Sequence, residues 1–176
     1  MVSARDQGPC PHIWSLAQRL IHWGLALGFA IGWWSSERHD TLHAWNGYAL
    51  TLLVVWRVFL GFGRHPGARW DGFLGRLRRL PDYLRGRLVP GPGLSPSGAA
   101  SALALLALML ATAVTGWMLT LEAYVGDEAA EARHVWAFNL LAGWIGLHVL
   151  AVVAVSLRQR RNRIADMIHG GRARGV

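Results

Sequence analysis

The sequence has one cysteine, Cys10, and no lysine, so all 18 basic residues are arginine. A single cysteine excludes an internal disulfide, and Cys10 reads as a free thiol in a short polar tail. Charged residues make up only 16% of the chain, and acidic ones number 10, leaving a net charge of +8. A basic balance suits either nucleic acid or a membrane surface. Here the arginines flank long apolar runs, which favours the membrane and excludes nucleic acid as the partner. There is no internal repeat and no second domain, and 176 residues are room for one, spanning 1–176. The first apolar run is longer than a typical signal h-region, and no small-x-small cleavage site follows it cleanly. It is therefore expected to stay in the mature chain.

What the chain does have is apolar stretches. It is 53% hydrophobic with 10 Trp. Mean hydropathy is only +0.26, but the polar residues are gathered into a few segments. Between Arg133 and Arg158 lie 24 residues without Asp, Glu, Lys or Arg. About 20 apolar residues cross a bilayer as a helix. The same reasoning predicts transmembrane helices over about 14–35, 41–62, 97–120 and 134–157. A basic loop over 63–96 is rich in Arg and Pro, and Phe73 to Leu84 within it reads either as a short amphipathic surface helix or as an ordinary polar loop. That loop and the tail from Arg158 together hold 13 Arg and 3 Asp, whereas 37–40 and 121–133 hold 2 Arg and 6 acidic residues. The positive-inside rule then puts both termini in the cytoplasm, as expected of an inner membrane protein. The expected fold class is an all-α, multi-pass membrane protein with a four-helix bundle.

Four histidines fall within the predicted spans: His22, His43, His134 and His148. An ionisable group inside a membrane helix is costly and is read as functional by default. His134 and His148 are 14 residues apart, so they lie within about 40° on one helix face, about 21 Å apart along the axis. Depth pairs His22 with His148 on the inner side and His43 with His134 on the outer side. Each pair comes from two helices, as is needed to clamp a planar ring from both faces. Bis-histidine ligation of haem iron leaves no open site and suits electron transfer. Zinc needs three or four clustered ligands, often including Cys or carboxylate, and neither depth provides them. No C-x-x-C-H occurs, so any haem is held without a covalent bond, as b haem.

Other residues fit two such rings. Gly47 lies one turn after His43, where a small residue lets a ring approach. Arg19 is one turn before His22. Arg57 is 14 residues after His43, on its face but at the inner depth. Haem propionates are anions that need basic partners where water is scarce, and Arg19 and Arg57 are the candidates. Ser15, Gln18 and Arg19 form a polar group beside His22 that suits a quinone carbonyl. Gly24, Gly28 and Gly32 make a stripe for close helix packing, within the bundle or in a homodimer.

The R-L-I-H-W of 19–23, the L-H-A-W-N-G-Y of 42–48, the R-V-F-L-G-F-G of 57–63 and the paired histidines of the last span resemble the bacterial cytochrome b561 family. That group includes cytochrome b subunits of nickel-iron hydrogenases and small stand-alone dihaem cytochromes. The tail N-R-I-A-D-M-I-H-G-G-R is similar to the family's usual ending. The resemblance covers nearly the whole chain. It implies a four-helix bundle with two b haems that exchanges electrons with quinone. The H-P-G-A-R-W of 65–70 departs from the compact H-A-R-F of many relatives. His12, His39 and His169 match no ligand position.

Three functions remain open at this point. The first is an electron-transfer subunit between the quinone pool and a redox protein, a periplasmic c-type cytochrome or a dehydrogenase or hydrogenase subunit. The second is a self-contained quinol oxidoreductase, such as a superoxide oxidase. The third is a non-redox haem-binding membrane anchor.

Overall fold

Ser15 opens the first helix. Its Oγ accepts the Gln18 backbone N–H while the Gln18 side chain accepts the Ser15 N–H at 3.0 Å, a reciprocal cap on the helix start. Helix α1 runs Leu16–Ser35, and after a short turn α2 runs Asp40–Leu60 with Asp40 suited to its positive end. The computed structural model describes residues 14–63, 69–87 and 94–171. Cys10, His12 and His65 lie outside the described residues.

The glycine stripe of α1 is spent inside the chain. A Cβ at Gly28 would come within 2.5 Å of Leu50, one at Gly24 within 3.0 Å of Leu53, and one at Gly32 within 3.0 Å of Asn46. Without those side chains α1 lies against α2, and the Asn46 amide donates to the Gly28 carbonyl at 2.9 Å. Of the two sequence readings of the stripe, the structure supports packing within the bundle.

Two short helices, α3 (Trp70–Arg78) and α4 (Leu80–Leu84), occupy the basic segment. Both pack against α5 (Pro96–Met118), and Phe73 is buried. Trp70 anchors the segment. Its indole N–H donates to the Val58 carbonyl at 3.0 Å, and its ring fills the place a Cβ on Gly61 would need. At the exposed start of α3, the Arg69 guanidinium and then the Gly72 N–H hold the Asp71 carboxyl below the usual carboxylate range.

After a single 3₁₀ turn at Glu122–Tyr124, α6 runs Glu128–Arg158. It begins six residues before the expected start at 134. The reason is Asp127, whose side chain accepts the Ala129 and Ala130 N–H groups at 2.9 and 3.1 Å. Glu128 and Glu131 then sit in the first turn, where the helix dipole favours negative charge. A charged stretch that reads as a loop is thus the head of the longest helix. The last element, α7 (Arg163–His169), is capped by Asn162 and held by an Arg161–Asp166 ion pair at 2.7 Å. It ends at Gly170, whose φ of 91° suits a residue without Cβ. The Trp14 N–H donates to the Gly170 carbonyl at 3.0 Å, so the end of α7 returns to the start of α1.

α1 packs on α2, α5 on α6, and α2 on α5. α1 and α6 meet through rings: Phe29 stacks on Phe138 at 5.6 Å and Trp33 stands edge-on to both. α5 and α6 are long and apolar enough to cross a membrane.

Candidate functional site

The outer histidines face one another. His43, one turn into α2, and His134, on α6, have ring centres 6.2 Å apart with planes at 87°. An imidazole bonded to a metal at about 2 Å has its centre about 3 Å from it, so two on opposite sides stand about 6 Å apart. The separation therefore suits two imidazoles on one ion.

Their second nitrogens are occupied. His43 Nδ1 lies 3.0 Å from the Gly32 carbonyl, with the fully buried Ser35 hydroxyl 3.5 Å away. A carbonyl only accepts, so Nδ1 holds the proton and Nε2 keeps its lone pair. His134 Nδ1 lies 3.1 Å from Thr115 Oγ1 on α5. Gly116 makes room for that ring, since a Cβ there would come within 2.9 Å of it.

The inner pair is His22 on α1 and His148 on α6, which are near enough to interact electrostatically. His148 Nδ1 lies 3.3 Å from Ser101 Oγ, again on α5. The His22 ring stands edge-on to Trp23 at 5.5 Å. Among the described residues no three His, Cys, Asp or Glu side chains gather as a metal-ion group.

Arg57 and Arg19 carry buried N–H groups without a hydrogen-bond partner, Nη1 and Nε respectively. Arg57 otherwise lies over the Trp70 ring at 5.9 Å, and Arg19 Nη1 donates to the Ile168 carbonyl at 2.6 Å. A buried N–H left without a partner is costly, and these two fit an anion beside them. A Cβ at Gly47 would meet no neighbouring element within 4 Å, so no packing among the described residues requires that glycine. Ser15 and Gln18 have a structural task in the α1 cap. His39 tilts against Trp34 at the start of α2, away from the two pairs of rings.

Sequence reasoning missed the partners of the histidines. Gly32 acts through its carbonyl, and Ser101, Thr115 and Gly116 all belong to α5, to which the sequence assigned no site residue. The one signal in the sequence was spacing: Ser101 and Thr115 are 14 residues apart, as are His134 and His148.

The imidazole pairs, the orphaned guanidinium groups and the open face at Gly47 fit planar metal-centred rings with anionic arms. Neither a curated protein nor a solved structure matches the chain. The family model described as prokaryotic cytochrome b561 matches residues 13–170, nearly the whole length, and the chain belongs to that family of membrane b-type cytochromes that work in electron transfer.

Proposed function

We propose that the chain is a single four-span domain that binds two b haems and carries electrons between the quinone pool and a periplasmic redox protein. The observation that carries this reading is the facing of His43 and His134 at 6.2 Å with both Nδ1 atoms hydrogen-bonded. In this reading His43 and His134 hold the outer haem, and His22 and His148 hold the inner one. Arg19 and Arg57 receive inner propionates on their orphaned N–H groups, and Gly47 leaves the ring room to lie flat. When bound, each haem iron takes up and gives back one electron.

The membrane reading extends to α1 and α2. Leu16, Leu20 and Leu27 on α1 and Leu52, Trp56 and Phe59 on α2 are each more than half exposed. Water does not tolerate apolar surface on that scale, whereas lipid does. The electron-transfer role is favoured over superoxide chemistry by the outer arginines. Arg133 pairs with Asp127 at 3.6 Å, so its charge is partly offset, and the acidic residues of the two segments, 37–40 and 121–133, outnumber both arginines.

The test is haem stoichiometry. The purified protein should hold two haems. Each of His43→Ala and His134→Ala should lose the outer haem alone, and each of His22→Ala and His148→Ala the inner one. A ratio of one in the intact protein, or loss of both haems from every variant, would overturn the reading.

A further inference from the structure

α5 carries none of the four histidines, yet two of its hydroxyls meet the two on α6. Thr115 Oγ1 lies 3.1 Å from His134 Nδ1, and Ser101 Oγ lies 3.3 Å from His148 Nδ1. The hydroxyls and the histidines share the 14-residue spacing, on consecutive helices packed together. One antiparallel register therefore brings both hydroxyls to both rings.

The carbonyls beside Thr115 favour one direction for the outer bond. Thr115 has one hydroxyl proton, and its oxygen lies 2.9 Å from the Ala111 carbonyl and 3.1 Å from the Thr112 carbonyl. Carbonyls cannot donate, so the proton points to them and Oγ1 accepts the N–H of His134. His134 is left with its lone pair on Nε2. Gly116, beside Thr115, lets the ring come close enough for this bond.

We infer that Thr115 and Ser101 are positioning residues that fix the ring orientation and donor strength of His134 and His148, and thereby set the reduction potential of the haem each one ligates. The inference rests on the two-haem reading. An imidazole that donates its far N–H is a more basic ligand. A more basic ligand favours the ferric state, so losing the acceptor raises the potential.

The experiment uses the purified holoprotein in detergent, with haem content measured first and each haem then reduced spectroelectrochemically. Thr115→Val keeps the shape and removes the hydroxyl. At the wild-type midpoint of the outer haem, its reduced-to-oxidised ratio should rise about threefold to tenfold, the worth of one hydrogen bond. The inner haem should stay where it was. Thr115→Ser should restore the wild-type value, and Ser101→Ala should move the inner haem alone. If Thr115→Val fails to fold with haem, Thr115→Ala and Ser101→Ala carry the same comparison. Two haems with unmoved potentials in every variant would overturn the inference and leave the two-haem reading intact. Equal movement of both haems by one variant would also overturn it, as a general structural effect. A wild-type protein without two haems would remove both.

Discussion

Gly47 shows how one residue can separate packing from binding. It lies mid-helix, where Ala is the better helix former by about 1 kcal/mol, and among the described residues nothing outside its own helical turn lies within 4 Å of the added Cβ. Gly47→Ala should therefore leave the haem-free protein at least as stable to heat as the wild type. If a ring lies against that face, the same change should speed haem transfer to an apoglobin acceptor, and an unchanged transfer rate would return Gly47 to the ordinary helix residues. The four histidines were legible because an ionisable group in an apolar run is costly unless something binds it. Their partners were not. Gly32 contributes a backbone carbonyl, which no side-chain pattern encodes. Thr115 bonds back to its own helix, as a hydroxyl in any apolar helix does. The arginines were legible as candidates, but Trp70 over Arg57 and the Ile168 carbonyl on Arg19 come from segments distant in sequence.

Among the elements, α6 departs most from its sequence expectation. Charge counting stops it at Arg133, because Glu128, Glu131 and Arg133 look like solvent residues. The cap at Asp127 carries the helix further and lifts His134 off the helix end into its second turn. Asp127→Ala removes both capping bonds and should cost about 1 kcal/mol. Thermal denaturation should show this as a lowered midpoint, with the outer haem released before the inner one. Simultaneous release would mean that the head of α6 is not specifically tied to the outer ligand. The hairpin of α1 and α2 was easier to read, since four polar residues leave no other connection. The basic segment was half legible: Phe73 to Leu84 suggested a helix, but the bond from Trp70 to the Val58 carbonyl joins positions that only the folded chain brings together. The return of α7 to Trp14 was not legible at all, because a backbone bond between the two ends leaves no trace in composition.

At the scale of the molecule, charge is the clearest feature and was read from the sequence alone. The segments expected inside hold 13 Arg against 3 Asp, and those expected outside 6 acidic residues against 2 Arg. Complementary surfaces steer encounter and raise association rates. The outer face should thus attract a positively patched cytochrome. Electron exchange between the outer haem and a basic c-type cytochrome should slow as salt rises, because exposed charges are screened beyond about 8–10 Å. Neutralising Asp127, Glu128 and Glu131 should slow it at low salt and flatten the salt dependence. A fast reaction with superoxide, slowed by neutralising Arg38 or Arg133, would favour the enzyme reading instead.

α6 provides one histidine to each pair and runs unbroken between them. With a haem at each pair, as proposed, its backbone hydrogen bonds rather than side-chain packing gauge the distance an electron must jump. That gauge comes in steps. Each residue added advances the second ligand by about 1.5 Å and swings it through about 100°, so only a few spacings keep both ligands on one face. Besides 14 residues these are about 11 and 18, or roughly 16 and 27 Å. The longer would press both centres against the surfaces of a hydrocarbon layer about 30 Å thick, and the shorter would draw them together at its middle. One alanine inserted between Leu140 and Leu141 should turn one histidine away from its partner and leave the other pair whole. The spectrum should then show one haem in place of two.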